Sequence, residues 1–368
     1  MVLKDISLLN YKNLADVQLE FSPKINCIVG RNGEGKTNLI DAIYFLSFCK
    51  SSVSPGSDVQ VIKHNADFMM LQGGYLTEQN EEEKIYCGLK RRQKKVFKRN
   101  GKEYTKLSDH IGHVRLVMVS PGDTELIWGG SELRRRFVDM VISQYDAEYL
   151  HQVIRYRKSL VQRNVLLRDE AEPDDNFISI YEAEMADAGE RIYAARRSFI
   201  EEFLPTFRRI YAQLAGSEEE VDLVYRSHAA QGALLDQMKD SRRKDRAMGF
   251  SLCGVHRDDL DFMLRGYPIK REGSQGQNKT FVISLKLSQF EFLKNKGNRR
   301  VPILLLDDIF DKLDSGRVEQ IVKMVSGQDF GQIFITDTDR DYISGILQRS
   351  EKDYRFYRVE QGVVSHEA

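Results

Sequence analysis

No run of the ~18 apolar residues that a membrane-spanning helix needs occurs anywhere in the chain, so no membrane partner is expected. Net charge is also missing: 55 Lys and Arg face 55 Asp and Glu, so any surface that grips nucleic acid must be local. Cysteine is scarce, with Cys27, Cys49, Cys87 and Cys253 far apart and outside any C-x-x-C pair. That excludes a disulfide framework and a cysteine zinc site, and reads as reduced thiols in a cytoplasmic protein. The opening "MVLKDISLLNYKNL" carries charges inside its apolar run, unlike a secretory signal. Internal repeats and low-complexity tracts are absent.

What is present is a chain of 368 residues, enough for two or three domains or for one large domain with an insertion. "VQLEF" alternates Val17, Leu19 and Phe21 as a half-buried strand does, whereas "INCIVG" is a continuous apolar run suited to a central strand. Asn100-Gly101 between two polar-alternating runs predicts a hairpin. From residue 131 the period becomes helical, with Asp146 as an N-cap and Leu150, Val153, Ile154, Leu160, Val161 and Leu167 on one stripe. A further helix is expected from Phe177 to about Leu204, ended or restarted by Pro205. Strand and helix return in the last third. The expected plan is a mixed α/β body, residues 1–120 and 246–368, interrupted by a mostly helical lobe, residues 121–245.

Residues 30–37, "GRNGEGKT", fit G-x-x-x-x-G-K-[ST] between an apolar strand and a helix, the setting that a phosphate-binding loop requires. The loop Gly30, Arg31, Asn32, Gly33, Glu34, Gly35, Lys36, Thr37 and Asn38 is the expected ATP site. Glycines let backbone N–H groups wrap the phosphates at the positive end of a helix. Lys36 would reach the β- and γ-phosphates as a catalytic residue, and Thr37 would ligate Mg²⁺. "VPILLLDD" ends a buried strand in two aspartates, placing Asp307 as the second Mg²⁺ ligand and Asp308 as the base for the attacking water.

A second Lys-Thr occurs in "GSQGQNKT", residues 273–280, where Asn278 stands in place of the glycine that a phosphate loop needs. Ser274, Gly276 and Gln277 lie at a helix start, where the same groups serve either as a cap or as an anion receptor. The order of phosphate loop, S-x-G-Q, apolar strand ending in aspartate, and "DKLD" resembles ATP-binding-cassette ATPases. That resemblance implies a cassette-type head whose Ser274, Gly276 and Gln277 complete an ATP site on a second subunit. It also implies that Asp311 and Asp314 lie at the dimer seam.

"VSPGDTELIWGGSELRRRFVDMVISQYDAEYL", "YRKSLVQRNVLLR", "GVHRDDLDFML" and "SQGQNKTFVISLKLSQFEFL" resemble the RecF family of bacterial recombination mediators nearly end to end. The family resemblance implies an ATP-driven homodimer that binds gapped or junction DNA without reading sequence and helps RecO and RecR load RecA, with DNA-stimulated ATP hydrolysis that Asp308 as base and the absence of a histidine near Thr336 predict to be slow. Transport-type and SMC-type ATPases are the alternatives. The first usually carries a catalytic glutamate where Asp308 stands and a histidine near Thr336; the second needs long heptad arms that are missing here. For DNA, the expected grip is the basic run Arg91, Arg92, Lys94, Lys95, Lys98 and Arg99, with Arg134 to Arg136 and Arg155, Arg157, Lys158 and Arg163 as further clusters. Each run could equally be a solvated face.

Overall fold

The computed structural model describes residues 1–54, 56–169, 175–216, 219–296, 300–309, 315–325, 327, 330–340, 344–345 and 353–367. They fall into two compact units: Met1–Asp123 with Gln289–Ala368, and Thr124–Ser288.

The first unit is built on two six-stranded sheets. One is an antiparallel meander of β1 (Val2–Tyr11), β2 (Leu14–Glu20), β4 (Phe68–Leu76), β5 (Glu82–Lys90), β6 (Val96–Arg99) and β7 (Lys102–Glu103), in the order β2-β1-β4-β5-β6-β7. The turn between its last two strands is the expected one, with Asn100 at φ 49° and Gly101 at φ 80°. The other sheet runs β15 (Val363–Glu367), β14 (Tyr354–Glu360), β3 (Ile25–Val29), β13 (Ile333–Asp337), β12 (Ile303–Asp307) and β8 (Leu116–Val119). It is parallel from β14 to β8, and β15 is its antiparallel edge. Every residue of β3, β12, β13 and β8 is buried, which is why these strands read as largely apolar runs. Helix α1 (Lys36–Phe48) leaves β3 through the glycine loop and buries nearly its whole surface. The four cysteines are buried and unpaired, so none is a reactive thiolate.

Two buried polar knots hold this unit. Asp41 of α1 pairs with Lys12 at 2.6 Å and accepts from the Tyr11 and Ser51 hydroxyls at 2.6 and 2.7 Å. His110 is enclosed by Phe97 and Tyr104; its Nε2–H donates to the Leu46 carbonyl at 2.7 Å and its Nδ1 accepts from Tyr104 Oη at 3.1 Å. Burial pushes the His110 imidazole down to about 4, so the folded protein keeps it neutral while the unfolded chain protonates it near 6.5. Its contribution is therefore present above pH 6.5 and lost as pH falls from there toward 4, a loss of roughly 3 kcal/mol at most. Urea unfolding at pH 7 and pH 4.5 should show this slope in the native sequence and a clearly shallower one in His110→Gln; equal slopes would discard the assignment.

The second unit opens with α2 (Glu125–Trp128), α3 (Ser131–Ser143), α4 (Ala147–Arg168) and α5 (Asp175–Ala215). It continues through β9 (Val221–Arg226), α6 (Leu234–Met248), β10 (Asp259–Leu264), β11 (Tyr267–Pro268) and α7 (Ile269–Glu272). The final helix, α8 (Gln275–Asn295), starts in this unit and ends in the first. The three strands form a small sheet ordered β11-β10-β9. Residues 246–288 thus share a unit with the helices before them, because β10 pairs along its length with β9. Asp146 caps α4 as expected, accepting from Tyr149 N at 2.9 Å.

Pro205 neither ends nor restarts its helix: α5 runs through it to Ala215. A proline removes one backbone donor and crowds the preceding turn. Here Phe199, Phe203, Phe207 and Tyr211 recur every fourth residue on one face, and their rings touch in sequence before meeting Phe281. That buried aromatic ladder keeps the helix continuous across the lost bond. The expected stripe on α4 is also divided. Val153 and Leu167 are buried, whereas Ile154 and Val161 are 47% and 58% exposed. Among the described residues, no helix is long and apolar enough to cross a membrane.

Candidate functional site

The glycine loop lies where β3 meets α1, at the carboxyl end of the parallel sheet. Its backbone needs glycine at defined points. Gly33 and Gly35 stand at φ 85° and 123°, conformations that L side chains rarely adopt. A Cβ on Gly30 would lie 2.4 Å from the Val359 carbonyl oxygen, and one on Gly35 would lie 2.8 Å from the Asn13 amide. Neighbouring turns brace the crest. Asn13 Nδ2 and Gly362 N donate to the Glu34 carbonyl at 2.8 and 3.0 Å, and Gln361 N donates to the Glu34 carboxylate. Asn38 donates to Asn13 Oδ1 at 2.7 Å, so one side chain from the β1–β2 turn holds both the loop and the first turn of α1.

Lys36 is only 3% exposed. Its Nζ donates to Gly30 O at 2.8 Å and reaches Arg31 O and Asn32 Oδ1 at 3.3 and 3.4 Å, so the ammonium is held inside the loop's own curve. Thr37 Oγ1 donates to Asp307 Oδ1 at 3.1 Å. The structure thus joins two residues 270 positions apart that the sequence separately pointed to as Mg²⁺ ligands. Among the described residues, no cluster of three His, Cys, Asp or Glu offers another metal site. A hydroxyl and one carboxylate are the partial set that suits Mg²⁺, which keeps waters and phosphate oxygens for the rest of its shell.

Thr336 is the member that sequence reasoning missed. Its hydroxyl donates to Asp307 Oδ1 at 2.7 Å and accepts from Asp308 N at 2.9 Å, fixing both aspartates from the adjacent strand β13. The only signal for it was position, since it stands near where transport ATPases place a histidine. Asp307 is 4% exposed. Burial pushes its carboxyl up, while the bonds from Thr336 and Thr37 and the charge of Lys36 oppose that rise. Asp308 follows at φ 47°, a left-handed turn directly after the buried strand. Beside the loop, Arg31, Glu34, Arg340, Arg358, Gln361 and Glu367 line a cleft of about 830 Å³, ample for a nucleotide-sized ligand.

In the second unit, Ser274 and Gln277 form a reciprocal cap on α8. Ser274 N donates to Gln277 Oε1 at 2.8 Å, and Gln277 N donates to Ser274 Oγ at 3.2 Å. Gln277 Nε2 also donates to Glu219 Oε1 at 2.7 Å. Ser274 stays exposed and Gly276 is half-buried. Asn278 is buried beneath Gly273, where a Cβ would lie 2.5 Å from Asn278 Oδ1. Asp311 and Asp314 lie outside the described residues.

The basic clusters prove unequal. Lys95 is 8% exposed and pairs with Asp58 at 2.7 Å; Arg99 pairs with Glu83 at 2.8 Å, and Arg91 Nε donates to the Ala66 carbonyl at 2.9 Å. Lys98 lies over the Tyr86 ring. Arg92 and Lys94 are exposed and make no ion pair among the described residues. Arg134 is bidentate to Asp259 at 2.7 and 3.0 Å, and Arg163 is wholly buried. These arginines brace the second unit.

Residues 2–365 match the RecF/RecN/SMC N terminal domain family. The DNA replication and repair protein RecF of Phocaeicola vulgatus is 60% identical over 365 residues, covering 99% of this chain and 98% of that protein. Its namesake in Porphyromonas gingivalis is 47% identical over 365 residues, covering 99% and 100%. Among solved structures, the recombination mediator protein RecF-ATPrS of the RecFOR pathway superposes with a TM-score of 0.90 at 29% identity, covering 100% of this chain and 98% of that one. An Smc head bound to the C-terminal winged helix of ScpA shares the fold, with a TM-score of 0.61 at 16% identity over 100% and 97% of the two chains.

Proposed function

Because the chain belongs to the RecF family of DNA replication and repair proteins, we propose that it is an ATP-dependent DNA-binding protein of recombinational repair and replication restart. The observation that carries this reading is the Thr37–Asp307 pair beside the enclosed Lys36, a ready site for a triphosphate and its cation. Bound Mg²⁺ would be held by Thr37 and Asp307 and would neutralise charge on the phosphates. Lys36 would exchange its carbonyl partners for phosphate oxygens. Asp308 would orient the attacking water. Its short side chain, and Thr336 in place of a histidine, favour slow hydrolysis, which suits a switch.

The switch is a dimer. Ser274, Gly276 and Gln277 sit at the exposed start of a long helix, with N–H groups and a hydroxyl that would take the γ-phosphate of a second subunit. Asp311 and Asp314 are assigned to the seam between subunits. The ATP-bound dimer would grip gapped or junction DNA through its phosphates and, with RecR and RecO, direct RecA to it. On the β5–β6 turn, Arg92 and Lys94 are the cations left available for that grip.

Binding of a gapped duplex should appear with ATP and disappear without nucleotide; binding indifferent to ATP would refute the switch. Ser274→Arg should leave ATP binding by the monomer intact while abolishing dimerisation. Sedimentation with a non-hydrolysable analogue tests this, and a Ser274→Arg protein that still dimerises would remove the segment from the interface.

A further inference from the structure

Within the second unit, α3, α4, α5 and the short turn Val255–Arg257 enclose a cavity of about 210 Å³. That is several times the ~30 Å³ share of a water molecule and below the ~300 Å³ at which drug-sized pockets begin. Val153, Leu160, Ile192 and Val255 supply apolar wall, and four guanidiniums line the rest: Arg135, Arg136, Arg157 and Arg196.

The arginines form a gradient from floor to mouth. Arg196, 5% exposed, is neutralised by Asp139 and Asp258, each at 2.8 Å. Arg136 pairs with Glu132 at 2.9 Å and is half exposed. Arg157, 66% exposed, has among the described residues only Asp139 at 3.5 Å, a carboxylate that Arg196 already holds. Arg135 donates from Nη1 to Ser131 Oγ and to the Asp258 carbonyl, and its Nε and Nη2 groups have no partner among the described residues. Asp259 also acts on Arg135 but is held by Arg134, outside the cavity, so the four guanidiniums face three carboxylates, Glu132, Asp139 and Asp258. Burial first, and then the neighbouring Arg196, hold the Arg135 guanidinium below its usual range, against the opposing pull of Asp258, Asp259 and Asp139. The remaining titratable wall groups are Tyr156, whose hydroxyl burial keeps protonated, and His256, which is locked neutral: its Nε2–H donates to the Ser251 carbonyl at 3.0 Å and its Nδ1 accepts from Tyr156 Oη at 2.7 Å. Burial pushes that imidazole down to about 4, so it adds no charge at neutral pH.

We propose that this cavity is a binding site for a single phosphate group, held by Arg135 and Arg157 with Arg136 at the mouth. One uncompensated positive charge matches the single charge of a phosphodiester, and guanidiniums present the paired N–H geometry that phosphate oxygens accept. The size admits the group and a little of its ester chain, not a nucleobase and sugar together. Two sources share this chemistry, a nucleic-acid backbone and free inorganic phosphate. Only the first rests on the DNA-binding reading above.

The test uses the full chain carrying Lys36→Ala, so that the glycine loop does not take the anion. Inorganic phosphate should raise its melting temperature saturably. Adding Arg157→Gln should raise the half-saturating phosphate concentration roughly tenfold or more, as expected when a charge-assisted hydrogen bond is lost. Arg155→Gln, on the same helix but paired with Asp187 outside the cavity, should change nothing. A second arm measures duplex binding with ATP against salt, in the protein with Lys36 intact. If the occupant is a backbone phosphate, Arg157→Gln lowers the slope of log K on log salt by roughly 0.9. An unchanged slope with intact phosphate binding assigns the cavity to free phosphate. No saturable response to phosphate, or equal weakening by Arg155→Gln, overturns the site whether or not the protein binds DNA.

Discussion

Arg163→Ala is expected to cost about 3–5 kcal/mol of stability, the usual range when one partner of a buried ion pair is removed, and a large share of the ~5–15 kcal/mol that a folded chain has. All five of its N–H donors are used: Nε and Nη2 donate to Glu182 Oε1 at 3.2 and 2.9 Å. Nη1 donates to Asp245 Oδ2 and Ser251 Oγ, each at 2.7 Å, and Nη2 also reaches the Met238 carbonyl at 3.3 Å. All three charged side chains are fully buried. Among the described residues, truncation would leave the Asp245 carboxylate with only the Leu252 amide and the Ser241 hydroxyl, and no paired cation. Glu182 would keep Arg242, at 2.6 Å, so most of the loss should come from Asp245. Arg163→Lys keeps the charge but offers three donors instead of five, and should fall between the two. Urea titration followed by circular dichroism would read the order; a loss below about 1 kcal/mol for Arg163→Ala would mean that the buried network is energetically idle.

Lys36→Ala should weaken ATP binding by about 2–5 kcal/mol, the cost of truncating one side of a buried charge pair, or roughly thirtyfold to several thousandfold in Kd. The ammonium is enclosed and already points into the loop, so it is organised before the nucleotide arrives. Calorimetric titration with ATP would measure the change. Because Lys36 Nζ also ties Gly30 and Arg31 carbonyls together, a melting curve should accompany it. A Kd within threefold of the unsubstituted protein would show that the phosphates are held by backbone N–H groups alone.

The glycine loop at residues 30–37 was legible because its signature is contiguous: glycine spacing, lysine and threonine all lie between one strand and the next helix. Asp307 was legible because a buried parallel strand announces itself as an apolar run and its tip carries the acid. The cap at Ser274 and Gln277 was legible for the same local reason, as a three-residue spacing. None of the three requires knowing what packs against it.

The side chains that make the site specific were not. Asn13 beneath Gly35 comes from the β1–β2 turn, and Val359 against Gly30 and Thr336 on Asp307 come from β14 and β13, all remote in sequence from the residues they touch. The cations show the division most clearly. Along the chain, Lys95, Arg99, Arg134 and Arg163 look like Arg92 and Lys94. In the folded protein the first four are consumed by Asp58, Glu83, Asp259 and the Glu182–Asp245 pair. A charge declares its sign in one residue. Whether it is neutralised depends on which carboxylate lies within 4 Å, and for these residues that is settled by long-range packing.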